Sequence, residues 1–140
     1  MRPPAHVLAG AIFDDQARVL IAQRPPGKHM EGGWEFPGGK REPGEERFAA
    51  LCRELDEELG IQVHSGEPLI CYDHQYPDRH VVLDLWLVTK YSGVPYSREG
   101  QTLKWVKIAD LEKTGLLDAD KPMIPALERI EPWALGCRQL

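Results

Sequence analysis

The sequence predicts an α+β layered domain on three grounds. Short β-branched runs recur along most of the chain, one central segment has strong helical periodicity, and a second, shorter helical stretch closes it. The 140 residues match one ordinary domain over 1–140, and a hydrophobic fraction of 42% suffices for a single buried core.

Residues 6–13 and 19–23 are apolar runs joined by Asp14-Asp15-Gln16-Ala17-Arg18, which reads as a β-hairpin. Residues 24–33 form a loop, because Pro25-Pro26-Gly27 and Gly32-Gly33 continue neither strand nor helix. Trp34-Glu35-Phe36 is a short extended segment, and Pro37-Gly38-Gly39 then forces a turn. Over residues 45–59, Phe48, Leu51, Cys52, Leu55 and Leu59 recur at helical spacing as a core-facing stripe, and Gly60 stops the helix.

A strand is expected within residues 61–76, a turn at Pro77-Asp78, and the longest strand over residues 80–91. Residues 81–88 of that strand are nearly continuous in apolar side chains, as in a strand covered on both faces. Residues 102–108 form another strand, 109–113 a short helical turn, and 122–130 a closing helix with Pro122 in its first turn. There are no repeats or low-complexity tracts, and the tail from Glu131 to Leu140, with Trp133, carries no legible function.

The net charge of −5 argues against a nucleic-acid polymer as partner, since such domains carry a basic footprint. A free nucleotide arriving with its own divalent cation remains compatible. The apolar stretch 7–13 ends at Asp14-Asp15, too short for a signal or membrane helix, so no membrane partner is expected and a cytoplasmic location is the default. Cys52, Cys71 and Cys137 are odd in number and lack a Cys-x-x-Cys, which disfavours disulfides and a zinc site and suggests incidental thiols. Without a heptad or a long apolar edge, a monomer is expected.

The chemistry centres on Gly39-x5-Glu45-x7-Arg53-Glu54-Leu55-x-Glu57-Glu58-x-Gly60-Ile61. Glu54, Glu57 and Glu58 stand at i, i+3 and i+4, on one helix face. Unpaired, such carboxylates repel by about 0.2–0.5 kcal/mol for each adjacent pair, and a bound cation is a natural reason to keep them. Oxygen ligands without sulfur or imidazole suit Mg²⁺, with Mn²⁺ as a substitute. Such ions bridge phosphate oxygens and acidify a bound water. Gly38 and Gly39 let backbone groups approach a metal or phosphate with no Cβ in the way. The bland alternative is a solvated acidic helix face.

This spaced pattern resembles the Nudix box at every defining position from Gly39 to Ile61. The resemblance implies an αβα sandwich with a mixed central sheet, in which the box forms a loop–helix–loop that binds divalent metal and cleaves a nucleoside diphosphate linked to another moiety. It implies that Glu54, Glu57 and Glu58 take metal, that Glu54 also accepts the proton of the attacking water, and that Arg53 with Glu45 orients the helix.

A narrower resemblance covers almost the whole chain: Gln23-Arg24, His29-Met30, the run from Trp34 to Lys40, Tyr76-Pro77-Asp78-Arg79-His80, Leu85-Trp86-Leu87-Val88 and Arg98-Glu99-Gly100-Gln101 look like the MutT branch, the 8-oxo-dGTP diphosphatases. That branch implies water attack at the β-phosphorus, release of monophosphate and pyrophosphate, and a role in sanitising the nucleotide pool against mutation. By the same resemblance Glu99 is a further metal ligand. Arg24, His29 and Arg79 are candidates for phosphate, sugar or base, and Phe36 for packing under the base or for the core. Lys40 pairs with phosphate, with a box carboxylate, or with solvent.

The match departs at Asp118-Ala119-Asp120-Lys121-Pro122, where the MutT pattern has an Asn that reads the base. Asn donates to purine O6 and accepts from the N7–H that only the 8-oxo form carries, whereas an ionised Asp120 only accepts. Facing O6 then costs about 1–3 kcal/mol, as for an unpaired buried acceptor. Three readings stand: a protonated Asp120, a base with an amino group such as cytosine or an oxidised adenine, or Asp120 as N-cap of the helix near Pro122. The rival activities are a CTP, methylated-dCTP or 2-hydroxy-dATP pyrophosphohydrolase, and, from another class, a nucleotide-binding module without catalysis.

Overall fold

The computed structural model describes residues 3–131, so Cys137 and the tail with Trp133 lie outside the described residues. Strands β1 (Ala5–Ala11), β2 (Arg18–Gln23), β3 (Trp34–Glu35) and β4 (Gly38–Lys40) precede helix α1 (Arg47–Leu59). Strands β5 (Gln62–Gln75), β6 (His80–Ser92) and β7 (Leu103–Lys107) follow, then 3₁₀ turns at Ile108–Lys113 and Asp118–Asp120, and helix α2 (Met123–Glu128).

The strands form a four-stranded sheet in the order β4-β1-β6-β5 and a three-stranded sheet in the order β3-β2-β7. The β1–β6 pair is parallel and the other pairs are antiparallel, so the larger sheet is mixed. The expected hairpin of the first two runs is corrected: they touch only near the Phe13–Val19 bridge and then diverge into different sheets. Both edges of β1 are taken, by β4 and β6, which leaves β2 to pair with β3 and β7.

Alternation in β1 and β6 sends side chains into two cores. Leu8, Trp86 and Val88 pack with Leu51, Leu55 and Leu59 of α1, while Ala9, Leu85 and Leu87 face a second cluster with Ile21, Phe36, Met123 and Leu127. Cys52 and Phe48 of the expected stripe are only partly buried. Helix α1 starts two residues later than expected, with Glu46 at the N-cap, and ends on Gly60 in the left-handed conformation (φ 68°, ψ 21°). The diglycine is no turn: Gly38–Lys40 is extended and pairs with β1. Strand β5, at 14 residues, is longer than the 13-residue β6 expected to be longest. Bulges and Pro68 interrupt its exposed edge, which discourages pairing with another chain.

Candidate active site

Helix α1 meets β4 where the backbone is barest. A Cβ on Gly38 would strike the carbonyl of Leu8, and one on Gly39 would fall on the Glu54 carboxylate. Glycine is therefore required at Gly38, where the obstacle is backbone, while a side chain at Gly39 would push the Glu54 carboxylate aside.

Arg53 organises the outer part of the site. Its Nε and Nη2 donate to both oxygens of Glu45 at 2.7 and 2.9 Å, Nη1 donates to Glu54 at 2.9 Å and Glu57 at 3.2 Å, and Nη2 also reaches the Lys40 carbonyl at 3.0 Å. One guanidinium thus ties the 40–45 loop to the helix. The Arg53 hydrogen bonds, with the Glu42 amide, hold Glu45 down at about 2. The acidic face expected to be unpaired is corrected accordingly: Arg53 already compensates Glu45, Glu54 and, at the exposed edge, Glu57.

Glu58 points the other way, into the protein. It is only 8% exposed, and its Oε2 accepts the Gly38 amide at 3.2 Å. Burial pushes its carboxyl up to about 8 against that hydrogen bond, and Glu35, Glu99 and Glu54 add repulsion. Burial likewise raises Glu54, opposed by Arg53. Exposed Glu99 lies beside them, and Gln101 Nε2 stands 3.5 Å from oxygens of both Glu58 and Glu99. Converging carboxylates with no sulfur or imidazole among them form a donor set that fits a hard divalent cation.

A cleft of about 660 Å³ runs from Glu58, Glu99, Gly38, Gly39 and Lys40 to Arg24, His29, Phe36, Arg79 and Asp120. The structure therefore brings most of the expected site residues to one cavity, whereas Glu45, Arg53, Glu54 and Glu57 do not line it; Glu54 stands behind Gly39, which does. Among the described residues the Lys40 ammonium has no ion-pair partner, which removes its expected pairing with a box carboxylate. A second groove of about 510 Å³, between β5, β6 and α2, is lined by Leu69, Leu87 and Ile130 and holds no box residue.

At the far end of the cleft, Arg24 pairs with Glu35 at 3.1 Å and donates to the His29 carbonyl at 3.2 Å, while its buried Nε has no partner. His29 and Arg79 both lean on Tyr76, edge-on at 5.5 Å and as a cation over the ring at 5.3 Å. Phe36 is buried in the core and also lines the cleft.

Asp120 is 6% exposed, and its Oδ2 accepts the Phe36 amide at 3.0 Å. Burial raises its carboxyl to about 7, with Glu35 adding to the rise and Phe36 and Arg24 opposing it. Its reading as a helix cap is corrected: α2 has Pro122 at its N-cap and no side-chain capping bond. Lys28, Glu35, Tyr76 and Gln101 are polar cleft residues to which sequence reasoning gave no role. Glu35, Tyr76 and Gln101 stand in the runs that resemble the MutT branch, which was the available signal for them; nothing local marked Lys28.

Comparison with known proteins gives the family. The NUDIX domain family matches residues 8–126. An 8-oxo-dGTP diphosphatase of Escherichia coli is 35% identical over 124 residues, covering 89% of this chain and 96% of that protein. A CTP pyrophosphohydrolase of the same organism is 36% identical over 119 residues, covering 85% and 88%. A solved MutT structure, from work on the Aliivibrio salmonicida and Vibrio cholerae proteins, superposes with a TM-score of 0.80 at 39% identity and covers 91% of this chain and all of that one. The chain belongs to the Nudix family, with the mixed-sheet fold of that family. It is a MutT-like Nudix hydrolase, an enzyme of a family that uses divalent metal.

Proposed function

We propose that this hydrolase cleaves 8-oxo-dGTP to 8-oxo-dGMP and pyrophosphate with Mg²⁺, as a single-domain cytoplasmic monomer that sanitises the nucleotide pool and so avoids mutation. The observation that carries the proposal is that Glu54 stands against Gly39 and Glu58 against Gly38, with Glu99 lining the same cleft of about 660 Å³. The naming of relatives as 8-oxo-dGTP diphosphatases supports the substrate.

In this reading Glu54, Glu57, Glu58, Glu99 and the Gly38 backbone hold the metal. When bound, Mg²⁺ neutralises the phosphate charge and acidifies water. Glu54, whose burial raises its affinity for a proton, accepts one from the water attacking the β-phosphorus. Arg53 and Glu45 fix the helix against the 40–45 loop, and Lys40, free of ion pairs, meets the polyphosphate. Arg24, His29 and Arg79, which line the cleft, meet phosphate, sugar or base, and Phe36 supports the base.

Asp120 decides which base. With Oδ2 held by Phe36, the other oxygen is left for the nucleobase. Ionised, it accepts the N7–H of 8-oxoguanine and repels the bare N7 of guanine. The same acceptor suits the amino group of cytosine, and the similarity to a CTP pyrophosphohydrolase makes that the second reading. Ranking 8-oxo-dGTP, dGTP, CTP, 5-methyl-dCTP and 2-hydroxy-dATP by kcat/KM under one Mg²⁺ concentration separates the two. The first reading requires 8-oxo-dGTP to lead; a cytidine nucleotide above both guanine nucleotides overturns it.

A further inference from the structure

Away from the cleft, three neighbouring strands bring His6 of β1, Cys71 of β5 and Asp84 of β6 to one place, with a donor atom of each within 4.8 Å of the others. Cys71 and Leu8 both stand opposite Asp84, and His6 lies two residues before Leu8, so the three side chains share one face of the sheet. We propose that His6 Nε2, Cys71 Sγ and Asp84 Oδ2 form a second metal site, distinct from the glutamate site, that takes a zinc-type divalent ion.

The donor types separate the two sites. A nitrogen, a sulfur and an oxygen select a borderline ion such as Zn²⁺ or Co²⁺, whereas carboxylates alone select Mg²⁺. Asp84 is fully buried and already aimed: Oδ1 accepts Trp86 Nε1 at 2.9 Å and Arg47 Nη2 at 2.8 Å, while Oδ2 faces His6 Nε2 at 2.7 Å. Bonds of this kind on the non-ligating oxygen are what orient metal-binding carboxylates elsewhere. Cys71 is exposed and makes no hydrogen bond among the described residues, which leaves its sulfur available and gives the ion a path inward.

Occupancy has a definite chemical balance. His6 binds through Nε2 with its proton on Nδ1, Cys71 loses its thiol proton to solvent, and the two anionic ligands match the ion's charge. The ion displaces two hydrogen bonds to Asp84 Oδ2, from Arg47 Nε and from His6 Nε2, each at 2.7 Å, the imidazole proton moving to Nδ1, while Arg47 keeps its bond to Oδ1 and its place 5.1 Å over the Trp86 ring. Donors of a tetrahedral site lie about 3.5 Å apart, so the His6–Asp84 pair at 2.7 Å opens by about an ångström while the exposed Cys71 side chain closes towards it. Water fills the fourth position.

The test is a titration of the reduced full-length protein with Co²⁺, followed by near-ultraviolet absorption. Oxygen-only sites give no thiolate-to-cobalt charge-transfer band, so the glutamate site is silent in this readout. The proposal predicts such a band at one equivalent, its removal by Zn²⁺, its loss in Cys71→Ser, and at least about tenfold weaker binding in His6→Gln. Cys71→Ser retains Mg²⁺-dependent turnover, because Cys71 lies outside the cleft. Absence of the band in wild type, or an equal band in Cys71→Ser, overturns the proposal.

Discussion

The Glu54 carboxylate occupies the space that a Cβ on Gly39 would need. Gly39→Ala must therefore displace either β4 or the carboxylate. A shift of about an ångström at a reacting centre can cost on the order of 100-fold in rate, and that loss in kcat/KM is the expected outcome, with a higher Mg²⁺ requirement. Steady-state rates across a Mg²⁺ series check it. Wild-type metal dependence in the variant would make the contact incidental.

Glu54→Gln separates chemistry from folding. Burial already disfavours the charge on Glu54, so an isosteric amide is expected to leave the melting temperature close to wild type. Loss of the proton acceptor is expected to lower kcat by about 10²- to 10⁴-fold. Paired kinetic and thermal measurements decide the matter, and an unchanged rate removes Glu54 from the mechanism.

Arg53 sets the charge state of Glu45. Its hydrogen bonds are the largest cause of the Glu45 value of about 2, so Arg53→Gln should return that carboxyl towards its ordinary 4.5. A depressed carboxylate adds stability above its unfolded value and loses it as pH falls towards the folded one. Wild type should thus lose more stability than Arg53→Gln between about pH 5 and pH 2. NMR titration of the glutamate carboxyl carbons reads the shift directly; a Glu45 that titrates alike in both proteins refutes the assignment.

The sequence made the box legible because its information is local. Spacing along one helix places Glu54, Glu57 and Glu58 together, and Gly60 marks the end. Spacing does not reveal that Glu58 turns inward to Gly38 while Glu57 faces solvent, since a step of one residue rotates a helical side chain by about 100°. The helix start was misplaced because no Ser, Thr or Asp caps it; Glu46 holds that position without a capping bond. The pairing of β1 with β6 and the contacts Phe36–Asp120 and Arg47–Asp84 join residues far apart in the chain, beyond any local pattern.

Asp120 gives a pH signature with a fixed sign. Its carboxyl titrates at 3.8 when unfolded and at about 7 when folded, so between those values the native state holds the proton more tightly. Stability from this group is complete below about pH 4 and falls as pH rises towards 7. Asp120→Asn removes the penalty, and its melting temperature should exceed wild type at pH 8 by on the order of 5 °C, with a smaller gap at pH 5. Thermal scans at the two pH values check this, and a pH-independent difference contradicts it.

The same titration should govern selectivity. As Asp120 ionises above about pH 7, acceptance of N7–H strengthens and the bare N7 of dGTP is repelled. The ratio of kcat/KM for 8-oxo-dGTP over dGTP should therefore rise between pH 6 and pH 8.5 in wild type and stay flat in Asp120→Asn. Parallel slopes would take Asp120 out of base recognition.

The most direct measurement is product release from 8-oxo-dGTP, analysed for pyrophosphate and orthophosphate with Mg²⁺ and again with EDTA. Carboxylates that gather a divalent cation at the diglycine backbone and direct water to the β-phosphorus yield 8-oxo-dGMP and pyrophosphate with Mg²⁺ and nothing with EDTA. Silence in both conditions, or release of orthophosphate in place of pyrophosphate, contradicts the account.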